Sequence, residues 1–236
     1  MVTKPPGKSA SREIVERAAE AGLNFVPVVG SALAVALVTT LNWKLNQRRE
    51  EWLEELAKAV QELGERADSI DIETLAENPM FVDAVVTATR TMEHTHQQDK
   101  LAALRNAVLN SALPRAPDAD SQAILFSMLD RFTGSHLRLL AMWDDPPDWF
   151  RTHAIAPPQA GMSGNRTRTV EVGLPELSDR KDFYMLLADE LKSAGLMTAS
   201  LNGMVSPTAQ MDRLTSRLGR QLVEFIKQPA ALSHRS

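Results

Sequence analysis

The 236-residue chain contains no cysteine. Disulfides, thiolate metal centres and thiol catalysis are therefore excluded. A basic excess is missing as well. Lys and Arg number 26 against 30 Asp and Glu, a formal net charge of -4, whereas a dedicated nucleic-acid binder normally carries the opposite balance. No Gly-x-Ser-x-Gly, P-loop, Gly-x-Gly-x-x-Gly or His-Glu-x-x-His motif occurs. No acyl-transfer elbow, phosphate cradle, dinucleotide fingerprint or zinc-protease helix is legible. The expectation is a non-enzyme without cofactor or metal. The polar start MVTKPPGKSA is followed by the mixed-charge stretch Arg12 to Glu20, which does not read as a signal peptide. A cytoplasmic chain fits.

Charge is also missing from one long stretch. From Ala21 to Trp43 the sequence AGLNFVPVVGSALAVALVTTLNW has no ionisable side chain. A helix over it would span about 34 Å, enough for a bilayer core of roughly 30 Å. Pro27 sits inside the run, and a helix starting there would offer only about 26 Å before Lys44. Gly30 with Ala34, and Ala32 with Ala36, allow close helix approach. Basic residues lie on both sides, so no orientation is favoured. Three readings stay open: a segment buried in the core or a self-association interface, one that enters a membrane conditionally, and a constitutive span. Its candidate contact residues are Gly22, Pro27, Gly30, Ala34, Val35, Leu37, Val38, Leu41 and Trp43. Insertion would place the chain at the inner membrane, with Trp43 and Trp52 as interfacial anchors.

Thirteen prolines divide the rest into mostly helical intervals. Residues 1–10 and 229–236 read as tails. Ser11 to Ala21 forms a short helix, and Pro27 to Leu63 a long one with Leu45, Trp52, Leu56 and Leu63 on one stripe. Asn78-Pro79 opens a helix with Phe81, Val82, Val85, Val86, Thr89, Met92 and His96 on one side. LAALRNAVLNSAL continues it, with Leu101, Leu104 and Val108 inward. Asp118 and Asp120 cap a helix through Phe132, Gly134 breaks it, and a further helix runs to Trp143. DDPPDWF reads as a turn, and 154–165 as a boundary loop. Beyond it Thr167–Val172 suits a strand, Leu177–Ala194 a helix, Asn202-Gly203 a hairpin turn, and Ser216–Lys227 a last helix. The fold class is mainly α: a helical bundle over 11–153 with a long N-terminal helix, then a small winged-helix-like α/β module over 166–228.

Several clusters invite chemistry. Glu93 and His96 have the i, i+3 spacing of a carboxylate-bridged di-iron helix, but no second Glu-x-x-His exists; a polar helix surface is the plainer reading. A pocket near His96 and Lys100 is the least supported alternative. Asn106 and Asn110, at i, i+4, suit caps or cross-links between helices through hydrogen bonds, with a ligand pocket as the second reading. Asp144, Asp145 and Asp148 lack the spacing of a calcium loop and suit turn and cap roles. In the winged end, Arg213, Arg217 and Arg220 are candidate nucleic-acid contacts.

The stretches DKLAALRNAVLNSAL, SMLDRFTGSHLRLLAMWDDPPDWF, LADELKSAGL and LTSRLGRQLVEFI resemble bacterial helical proteins of the abortive-infection alpha type, over about residues 79–228. The resemblance implies a cytoplasmic protein of phage defence or stress response. Two functions follow as expectations. One is a non-enzymatic helical effector whose uncharged segment, sheltered at rest, self-associates or inserts in a membrane on activation. The other is a soluble binding module that recognises protein or nucleic acid through its winged C-terminal end, nucleic acid being disfavoured by the acidic charge.

Overall fold

A computed structural model describes residues 29–66, 72–159 and 164–230. The chain divides into two compact units, 1–57 and 58–236. The first long helix, α1 (Val29–Arg66), continues across that division. The expected helix at 11–21, together with Gly22 and Pro27, lies outside the described residues.

In the first unit α1 decides what the uncharged stretch can do. As described, the helix runs from Val29, and about 22 Å of it precede Lys44. Thr39, Thr40 and Asn42 dilute that part further. No helix among the described residues is long and apolar enough to cross a membrane. The expected membrane association and inner-membrane location are therefore corrected. The effector reading, with its insertion on activation, is corrected with them, and the described side chains of the stretch are not sheltered. Val35, Leu37, Val38 and Leu41 are 51–66% exposed, and Ala34 is exposed too. Trp43 is half-buried with the Lys44 ammonium 4.7 Å from its ring. Among the described side chains of this unit, Trp52 and Leu56 are the buried ones.

The second unit is a helical bundle. It comprises α2 (Ile72–Glu77), α3 (Pro79–Glu93), α4 (Gln98–Ser111), α5 (Ala119–Arg131), α6 (Gly134–Asp144), α7 (Pro146–Thr152), α8 (Arg166–Gly173), α9 (Lys181–Ser193) and α10 (Arg217–Ile226). The central element is α4, packed by α3, α5, α6 and α10. Leu104, Ala107 and Val108 are fully buried there. Full burial of such a side chain stabilises by about 1.5–3 kcal/mol for Leu or Val.

Local sequence sets the helix ends. Asn78 Oδ1 accepts from the Met80 N–H at 3.0 Å, with Pro79 in the first turn. Asp118 does the same for α5 through Ser121. The Asp-Asp-Pro-Pro stretch is more than a turn: Asp145 caps the short helix α7 through the Asp148 N–H. On α3 the buried face runs through Phe81, Ala84, Ala88 and Met92. The expected stripe placed Val82 and Val86 inward, but both are exposed. The small alanines give the closer approach to neighbouring helices, and that selects the face.

Thr167–Val172, expected as a strand, is helix α8. Asn165 accepts from the Thr167 and Arg168 N–H groups, and a capped start overrides β-branched propensity. The Asn202-Gly203 pair does turn the chain, with Gly203 at φ +99. It does not close a local hairpin. The two-residue strand after it, Met204–Val205, pairs antiparallel with Gly164–Asn165, in register Gly164 with Val205. Met197 and Thr215 form a further antiparallel bridge.

Candidate functional site: an arginine groove

The start of α10 is held by backbone bonds before its side chains do anything. Ser216 N–H donates to the Leu196 carbonyl at 2.8 Å, and its hydroxyl donates to Gly195 at 2.6 Å. The same hydroxyl oxygen accepts the Gly219 N–H at 3.0 Å, capping the helix. Gly219 faces the Leu196 carbonyl so closely that a Cβ would collide with it. The other end of α10 is fastened by α4. Asn106 Nδ2 donates to the Ile226 carbonyl at 2.9 Å, and Asn110 Nδ2 to those of Phe225 and Lys227 at 2.8 Å each. The expected cross-linking role of these asparagines is what the structure has: they satisfy orphan carbonyls at a helix terminus.

Between these fastenings lies an open groove of about 700 Å³, formed by the α4–α5 turn and one face of α10. Leu113, Pro117 and Phe225 supply its apolar lining, and Arg115, Arg217 and Arg220 its cations. All three arginines are exposed, and none has a salt-bridge partner among the described residues. The two acids in the groove are already engaged. Asp118 accepts from the Ser121 hydroxyl at 2.6 Å and from its N–H at 3.0 Å, and these bonds hold its carboxyl below the usual range. Glu224 pairs with Lys227 at 2.9 Å. The Asp118 carboxylate stays ionised in the groove, so three guanidinium groups without a salt-bridge partner face one carboxylate that is not paired with a cation, and the groove keeps a cationic excess.

Of the three expected arginines, two meet here and one does not. Arg213 donates to the backbone carbonyl of Asp144 and lies 3.8 Å from its carboxylate. Thr215 donates to the same carboxylate at 2.7 Å. Arg213 thus stitches the segment before α10 to the end of α6. Arg115 was missed by sequence reasoning. It stands in the PRAPDAD loop, and only the packing of α10 against α4 brings it beside Arg217 and Arg220; no local pattern signals that.

Other polar candidates have structural work. Lys100 is buried and donates to the Asp130 carbonyl at 2.8 Å, capping the last turn of α5. Burial lowers its pKa, against the opposing pull of Asp130. His94 and His96 are exposed, and no group of residues suited to a metal occurs among the described residues. His136, which carried no signal in the sequence, is buried with both ring nitrogens committed. Nδ1 accepts from the Thr133 N–H at 3.2 Å, completing a capping box, and Nε2 bonds Glu190 of α9 at 2.9 Å. Burial lowers its pKa; Glu190 opposes that, and Arg131 and Lys100 add to it.

Comparison with protein-family models, curated proteins and solved structures found no match to this chain.

Proposed function

We infer that this chain is a non-enzymatic binding module whose C-terminal end takes an acidic segment of a partner protein. The observation that carries the reading is the set of three arginines without salt-bridge partners among the described residues, Arg115, Arg217 and Arg220, around apolar lining residues. They outnumber the one carboxylate in the groove that is not paired with a cation, Asp118. Exposed guanidinium groups bind carboxylates in bidentate fashion, and an apolar floor adds affinity for side chains beside the acids. The C-terminal end reads as winged-helix-like. A short strand precedes α8 and α9, the bridge between Met197 and Thr215 closes a long loop, and α10 follows.

Protein is favoured over nucleic acid by charge. The chain is net -4. The helix in the place of a recognition helix, α9, exposes Asp182 and Asp189 beside Lys181 and Lys192, with Leu186 54% exposed. That face suits a protein surface better than a run of phosphates. In the setting the resemblance implies, bacterial phage defence, such a module would act by recognising a protein component.

The test is fluorescence anisotropy with a labelled peptide of Asp, Glu and Leu, beside a short DNA duplex. The peptide is expected to bind, and Arg217→Glu with Arg220→Glu to weaken it by about tenfold or more. Equal peptide binding by the variant, or a preference for duplex with a steep salt dependence, contradicts the reading.

A further inference from the structure

A second groove, of about 650 Å³, runs between α3 and α5. The two helices lie side by side, joined near their C-terminal ends by the Thr91 hydroxyl donating to Asp130 at 3.1 Å. Ala84, Thr87 and Thr91 line one wall, and Ala123, Phe126 and Asp130 the other. Both sets follow the same i, i+3, i+7 spacing, so a row of small side chains on α3 faces a row on α5 in which Phe126 stands between Ala123 and Asp130. Such a floor receives large apolar knobs from a third helix. Met80 and Val86, both in its lining, are 38% and 42% exposed. Charged side chains also line the groove, with the Asp130 carboxylate, which already accepts from Thr91, at the same end as Arg90. Asp83 and Arg90 both line it from α3, two turns and about 10 Å apart. Neither has a salt-bridge partner among the described residues.

We propose that the α3–α5 groove is the docking site for an amphipathic helix of a partner protein, carrying large apolar side chains at i, i+3 and i+7. The partner helix places a basic residue against Asp83 and an acidic one against Arg90, two turns apart. The site is separate from the arginine groove, although the two share a wall. Phe126 lines the one, Phe225 lines the other, and their rings meet edge to face at 5.4 Å. The proposal does not depend on what the arginine groove binds.

The experiment uses the full chain and two synthetic helical peptides, each with Leu at i, i+3 and i+7. One has Lys and Glu placed to match Asp83 and Arg90; the other has them exchanged. The matched peptide is expected to bind about tenfold more tightly than the exchanged one and to shift the amide resonances of Ala84 and Ala123. The double variant Asp83→Lys, Arg90→Glu reverses the preference. Both positions are exposed, so the variant keeps its fold, which its thermal melt checks. Arg217→Glu with Arg220→Glu leaves peptide binding unchanged, which separates this site from the arginine groove. Equal affinity for the two peptides, an unreversed preference in the double variant, or shifts confined to other helices overturns the proposal.

Discussion

Ala154 adopts φ +53, the left-handed region, because α7 ends in a Schellman turn. Its N–H bonds the Arg151 carbonyl at 3.3 Å, and the Ile155 N–H bonds Phe150 at 3.0 Å. The end of α9 has the same pattern with Gly195 at φ +74. A side chain in that conformation costs about 1 kcal/mol. Ala154→Gly is therefore expected to raise stability by about 0.5–1 kcal/mol, read as a higher urea midpoint at unchanged slope. His136 makes a prediction with a pH sign. Its pKa is lowered in the folded state, so the unfolded chain takes up the proton first as pH falls. The stability it contributes is complete above about pH 6.5 and is lost as pH drops from there through the lower folded pKa. Urea unfolding as a function of pH checks this. His136→Asn, which keeps an acceptor for Thr133 but does not titrate, should lack that part of the decline.

At the scale of elements, α10 is the piece that makes the arginine groove, and α4 makes α10 possible. Removing Asn110 leaves the Phe225 and Lys227 carbonyls short of a donor. Asn110→Ala is expected to cost about 1–3 kcal/mol by chemical denaturation and to fray the end of α10 in hydrogen exchange. A cost under half a kilocalorie would show that water replaces those bonds. Much at this scale was legible in the sequence. Asn78-Pro79, Asp118 and Ser216 start helices as their residue types require, and Asn106 with Asn110 reads as a helix cross-link. What was not legible depends on partners distant in the chain. The inward face of α3 is set by which side chains are small enough for its neighbours, so Ala84 and Ala88 displace the more apolar Val82 and Val86. The strand after Asn202-Gly203 finds Gly164–Asn165 instead of its local neighbour, and no turn rule encodes that choice.

For the molecule as a whole, the candidate site lies in the bundle and not in the uncharged stretch. An uncharged run becomes a membrane span only as a helix long and apolar enough to cross the bilayer, and no helix among the described residues is. Function is better sought where charge is left over after the bundle's own bonding is complete. Arg213, Arg217 and Arg220 look alike in sequence. The structure separates them, because Asp144 holds Arg213 while the other two join Arg115 around an open groove. The most direct test of that account is a chemical-shift titration of the chain with an Asp- and Glu-rich peptide at low and high salt. The account predicts saturable shifts at Ser121, Arg220 and Gln221 that weaken as salt screens the contact, and that persist in Arg213→Ala but vanish in Arg217→Glu, Arg220→Glu. Shifts centred away from α10, or binding that survives the loss of both arginines, would contradict it.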